Sequence, residues 1–195
     1  MNLFFRSNYV DSKSPFAVSM SSDLIYKYLL KETAGKENII ILCIGTDRST
    51  GDSLGPLVGH KLHPLLKSYK NVSLFGTLEN PIHAKNLEAT LDKIYSEFNS
   101  PFIIAVDSSL GSYNRVGYIS IKNAPLRPGS GVNKVLPAVG DISITGIVNV
   151  GGMMEFMVLQ NTRLSLVMNM ADIIYKSIYL SLIRFYKEKE YILEK

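Results

Sequence analysis

Two stretches without a polar residue anchor the chain. Ile39 to Ile44 and Phe102 to Val106 are apolar throughout, the pattern of strands buried on both faces. Val72 to Phe75 reads as a shorter strand between them. Val116 to Ile121 alternates, as a strand with one exposed face does, and Ile142 to Val150 is again strand-like. Helical spacing fills the gaps. Ser21 or Ser22 is placed to cap a helix that runs to Lys31 and ends at Gly35. A second helix begins near Ser53 and carries Leu54, Leu57, Val58, Leu62 and Leu65, with Pro56 in the first turn, where a missing N–H costs nothing. Ala84 to Phe98 puts Leu87, Leu91, Ile94 and Tyr95 on one face. Residues 123–140 are rich in Pro and Gly and read as an irregular loop. Gly151 and Gly152 turn the chain into a long last helix that starts near Thr162.

Buried strands alternating with helices predict an α/β fold: a largely parallel sheet covered on both faces. The 195 residues fit one domain. Residues 1–18 precede the first strong pattern and are expected to form a flexible or peripheral arm. Gly51, Gly55 and Gly59 recur every four residues, which smooths one helix face for close packing on the sheet.

Composition narrows the functional classes. The net charge is +4, and the basic residues are scattered rather than striped, which argues against nucleic acid as a partner. The single cysteine, Cys43, lies inside an apolar run; it reads as a core residue, and its isolation rules out a disulfide within the chain. A reducing, cytoplasmic compartment is the expectation. The apolar segment from Leu164 to Tyr186 carries Asp172, Lys176 and Arg184. Charges so spaced predict a packed helix rather than a membrane span.

Candidate chemistry falls on two segments that leave the carboxyl ends of central strands, where open α/β sheets bind ligands. The first runs from Gly45 through Thr46, Asp47 and Asp52 to Pro56. The second is Asp107 to Gly111, which includes Ser108. A carboxylate at the tip of a buried strand needs partners or a task. Asp107 is therefore either a turn cap or a functional acid, and Asp52 either a helix N-cap or its partner. Glu79 and His83 lie on a third loop of the same sheet edge and are placed to reach the site, whereas His60 and His63 read as surface residues. Gly45 to Asp52 is not a phosphate loop, because it has no lysine. Gly129-Ser130-Gly131 lacks the outer residues of a nucleophile elbow.

Taken together these segments resemble a known family. Thr50-Gly51-Asp52-Ser53-Leu54-Gly55-Pro56-Leu57-Val58 and Ile104-Ala105-Val106-Asp107-Ser108-Ser109-Leu110 are similar to the two aspartate motifs of the germination protease of endospore-forming bacteria. Pro128-Gly129-Ser130-Gly131-Val132 matches a third segment in the same order. With Gly76 to Leu87 included, the chain resembles more closely the smaller sporulation proteins of the YyaC type. The resemblance implies the three-layer fold of hydrogenase maturation proteases, a twisted, mostly parallel sheet between helices. It also implies that Asp52 and Asp107 are the equivalents of the protease's two essential aspartates. The nickel-sensing relatives place a histidine after the third central strand; this chain has none beyond His83.

The expected function is hydrolysis of peptide bonds in a peptide or small protein, spore proteins among them, by a proton-sharing aspartate pair. Thr46, Asp47, Glu79, His83, Ser108 and the Gly129-Ser130-Gly131 loop support it, the loop as an oxyanion donor. No cofactor, resident metal or membrane is expected, and self-association is left open. Two alternatives stand beside this reading. One is a non-catalytic peptide- or partner-binding protein on the same fold. The other is metal-assisted hydrolysis through Asp52, Asp107 and His83 or Glu79.

Overall fold

The computed structural model describes residues 8–33, 35–128 and 136–193. Six strands form one sheet: β1 (Tyr9–Asp11), β2 (Ile39–Cys43), β3 (Val72–Phe75), β4 (Phe102–Gly111), β5 (Tyr118–Lys122) and β6 (Ile142–Val150). Their spatial order is β1-β5-β6-β4-β2-β3. The pairs β3–β2, β2–β4 and β4–β6 are parallel, and β5 runs antiparallel to both β6 and β1. The helices are α1 (Ala17–Glu32), α2 (Leu54–Leu62), α3 (Leu87–Glu97), α4 (Glu155–Gln160) and α5 (Leu164–Leu193).

Alternation along the apolar strands divides the core in two. Ile39, Ile41 and Cys43 of β2 and Phe102, Ile104 and Val106 of β4 join α1, α2 and α5 in the larger cluster. Ile40, Leu42, Ile103 and Ala105 face the other way, onto Leu87, Leu91 and Ile94 of α3. The mixed sheet with helices on both faces is the three-layer α/β architecture expected. Tyr95 leaves the apolar face expected of it and is 58% exposed, because the Leu87, Leu91 and Ile94 stripe already covers the sheet.

The glycine spacing has the predicted effect. A Cβ at Gly55 would run into the carbonyl oxygen of Ile44, and one at Gly59 into that of Gly76. Helix α2 therefore lies on the sheet edge with backbone against backbone. At Gly51 a Cβ would meet Leu159 and Thr162 instead, so that glycine seats the turn before α2 against α4.

Several boundaries moved. Tyr9–Asp11, inside the stretch expected to be an arm, pairs with β5 and buries Val10. Helix α1 starts at Ala17, so Ser21 and Ser22 are buried in its body and do not cap it. Helix α3 starts at Leu87, not Ala84, because His83 to Asn86 form a turn in which the Asn86 side chain accepts the His83 N–H. Helix α4 was not foreseen. Helix α5 is long and apolar enough to cross a membrane by length and composition. Its apolar stripe is nevertheless spent on the core, with Val167, Met170, Ile174, Ile178 and Leu182 buried against the larger cluster. Asp172 pairs with Lys61 at 2.8 Å, and Arg184 pairs with Asp23.

Candidate functional site

The order of strands reverses between β2 and β4: the chain leaves β2 for β3 on one side and later returns to β4 on the other. This is the switch point at which open α/β sheets leave a crevice. Strand β2 stops at Cys43, opposite Val106. The Ile44 N–H still reaches the Val106 carbonyl at 2.7 Å, and then the chain turns away at Gly45, whose φ is +142°. A Cβ at Gly45 would strike the carbonyl of Asp52, so glycine is required for the loop to fold back on itself. The Thr46 N–H closes that loop onto the same Asp52 carbonyl at 3.0 Å.

Asp107 is not on a loop, as the sequence suggested. It is inside β4, which continues to Gly111 because β6 keeps pairing with it. Relative to β2, however, Asp107 is the first residue past the strand end. Asp52 lies in a single 3₁₀ turn, Gly51–Ser53, ahead of α2. It does not cap that helix: neither Thr50 nor Ser53, the residues at the cap positions, makes a side-chain cap bond, and the Asp52 carboxylate instead accepts the Ser108 hydroxyl at 3.4 Å.

Ser108 links the two acids. Its N–H donates to Asp107 Oδ1 at 2.7 Å, while its hydroxyl turns to Asp52. The residue is thus connected to both carboxylates through adjacent atoms. Asp107 is 6% exposed. Burial drives its pKa well above the ordinary value, the charge of Asp52 adds to the rise, and the Ser108 N–H opposes it. Asp52 is partly buried and also raised by burial, against the lowering effect of the Ser108 hydroxyl and of charge on His83.

The remaining expected residues divide. His83 comes to the site: a bridge between Ile82 and Ile44 and a bond from the Gly45 N–H to the Ile82 carbonyl at 2.7 Å carry it to the end of β2. Its Nδ1 accepts the Lys85 N–H at 3.3 Å. Thr46 is partly buried and orders the loop, accepting the Arg48 N–H at 3.3 Å. Asp47 is exposed and lies 3.9 Å from Arg48. Glu79 is exposed and pairs with His60 at 3.2 Å, so it is engaged away from the aspartates. Gly129, Ser130 and Gly131 lie outside the described residues. No group of three or more His, Cys, Asp or Glu among the described residues is placed to hold a metal ion.

Beside the carboxylates lies an open groove of about 1000 Å³, lined by Arg48, His60, His63, Glu79, His83 and Lys93 among others. Neither aspartate lines it; His83 is the residue common to the groove and the acid pair. His60 and His63 were read as surface residues, and they are exposed. Their place along a groove follows from the return of the 76–86 loop over α2, a tertiary contact with no local signal.

The chain has relatives. It is 48% identical over 170 residues to the uncharacterized protein YyaC of Bacillus subtilis strain 168, covering 87% of this chain and 82% of that one. In structure it is similar to a [NiFe] hydrogenase maturation protease, HycI, from Thermococcus kodakarensis KOD1. That likeness has a TM-score of 0.52 at 20% identity and covers 79% of this chain and 97% of the other; it establishes the shared fold. Residues 9–177 match the family described as a protein of unknown function, DUF1256, and the chain belongs to that family.

Proposed function

We propose that the chain is a peptidase of the germination protease type, acting in sporulation and hydrolysing peptide bonds with Asp52 and Asp107 as a proton-sharing pair. The observation that carries this reading is the Ser108 link between one buried and one partly buried carboxylate at the switch point. Two neighbouring carboxyls with raised pKa values favour a singly protonated state. Asp107 has the larger burial and keeps the proton; Asp52, helped by Ser108 and His83, carries the charge. Asp52 then takes a proton from a water molecule as its oxygen attacks the peptide carbonyl carbon. Asp107 donates its proton to the leaving nitrogen as the C–N bond breaks. The products are a free carboxyl and a free amine, and one proton exchange with solvent resets the pair. The substrate is a peptide or small protein of the sporulating cell, and the setting is cytoplasmic.

The test is direct. Purified chain is incubated with a soluble extract of sporulating cells, and new peptide N-termini are labelled and counted by mass spectrometry. Wild type should create termini that Asp52→Asn and Asp107→Asn each produce at least about 100-fold more slowly. Equal yields from wild type and both variants would remove the aspartates from any catalytic role and leave the binding-protein reading in front.

A further inference from the structure

Helix α4 is short and its outer face is bare. Its six residues are a length that is marginal in water without packing. Met154, just before it, sits in the left-handed region at φ +59°, which is costly for a bulky side chain. The inner side is tied down: Leu159 and Thr162 lie against Gly51, and the Asn149 side-chain amide donates to the Val158 carbonyl at 3.2 Å. On the outer side Met153 is 91% exposed, Met154 66%, Phe156 65%, Leu164 57%, Met157 50% and Val150 37%. Val150, Met153, Met154 and Met157 line one shallow depression of about 500 Å³.

These side chains amount to roughly 600 Å² of apolar surface, the upper limit of what a soluble monomer ordinarily leaves open. That is most of the roughly 800 Å² that one partner gives to a stable interface. Two charges bound the helix, Glu155 at its start and Arg163 just past its end, eight positions apart. Neither has an ion-pair partner among the described residues. A helix that lies on a membrane carries several Lys and Arg on its polar face, whereas the segment from Val150 to Leu164 has one charge of each sign. The residues on either side of 129–135 do not approach this face. Leu126, Leu136 and Val139 pack on the α3 side of the sheet, while Leu159 of α4 packs with the larger cluster on the opposite side.

We infer that the α4 face takes a second copy of this chain, with the two α4 helices packed antiparallel across a two-fold axis. A patch with opposite charges at its two ends is complementary to itself only in that sense. Glu155 of each copy then lies opposite Arg163 of the other, about 12 Å along the helix. The methionine and phenylalanine side chains between those charges close over one another, and flexible methionines suit such self-packing. Pairing covers the strained start of α4 and presses the helix onto the turn that carries Asp52. It goes beyond the peptidase reading and does not depend on it, because it is read from mass and not from cleavage.

The test is sedimentation equilibrium of the full chain up to about 100 µM, a range in which interfaces of this size associate. Wild type should approach twice the chain mass of 21.7 kDa. Met153→Glu combined with Met157→Glu should stay at the chain mass throughout, with an unchanged circular dichroism spectrum, since both side chains are exposed. Glu155→Arg and Arg163→Glu each set like charges against each other at both ends of the contact, and each should weaken the dimer at least about tenfold. An equimolar mixture of those two variants restores opposite charges and should dimerise like wild type. A monomeric wild type overturns the proposal, as does a dimer that the paired glutamates leave intact. A mixture that associates no better than its components overturns the antiparallel arrangement. A monomer that floats with neutral phospholipid vesicles would give the face to a membrane instead.

Discussion

Burial and the charge of Asp52 both oppose ionisation of Asp107, and only one backbone N–H favours it. The consequence for stability has a definite sign. Below the ordinary aspartate range, at about pH 4, the group is protonated folded or unfolded and contributes nothing. As the pH rises the unfolded chain ionises while the folded one resists, so stability falls until the raised pKa is passed. Asp107→Asn removes that loss and keeps an oxygen for the Ser108 N–H. At pH 7 the variant should be more stable than wild type by about 0.5–2 kcal/mol, with the gain vanishing toward pH 4, measured by urea denaturation across pH. Activity should be bell-shaped in pH, because the pair works with one proton. Ser108→Ala deletes the hydroxyl that stabilises ionised Asp52 but leaves the N–H to Asp107. Its acid limb should move to higher pH while the alkaline limb stays, and kcat/KM on the acid side should fall roughly threefold to tenfold. An unmoved acid limb would mean that Asp52 is not the ionised partner.

Among the elements, α2 is the one whose position sets the site, because the turn that carries Asp52 leads directly into it. Its closeness to the sheet depends on Gly55 and Gly59, each facing a backbone carbonyl that cannot retreat. Alanine is the better helix former by about 1 kcal/mol, yet here the added methyl meets main chain. Gly55→Ala and Gly59→Ala should each lower stability by about 2 kcal/mol or more, read as a drop in Tm, against the propensity gain. A rise in Tm would show that α2 can move away, and the Asp52–Ser108 contact would then be lost with it. The amino end of the sheet is closed differently. Asp141 accepts the Ile103 N–H at 2.8 Å through one oxygen and pairs with Lys36 at 2.6 Å through the other.

At the scale of the molecule, α5 joins the parts. It packs against both α1 and α2, and its buried residues share one cluster with β2, β4 and β6. Ile178 sits in that cluster with no exposure. Ile178→Ala should cost about 2–5 kcal/mol. Far- and near-ultraviolet circular dichroism should lose their signals at one shared midpoint of denaturant. Separate midpoints would mean that the helical layer unfolds independently of the sheet.

Strands β2, β3 and β6 were legible almost to the residue, because an unbroken apolar run or a clear alternation admits few other structures. The α2 glycines were legible as a packing face for the same reason: their spacing is local. Asp52 and Asp107 were legible as candidates from their places after apolar runs and from their resemblance to known motifs. The continuation of β4 past Asp107 was not, since it depends on β6, which comes later in the chain and pairs with Ser108 and Ser109 regardless of their polarity. Nor was the short edge strand β1, whose three residues are too few to show a period. Tyr95 failed because helical spacing identifies a face but not how wide a stripe the sheet will cover. Local pattern thus carries the elements and the chemical identity of the acids, because side-chain periodicity and burial preference act within a few residues. The meeting of Asp52 with Ser108 and the groove beside His83 were set by where one strand stops and its neighbour continues, and that is decided by pairing between residues far apart in the chain.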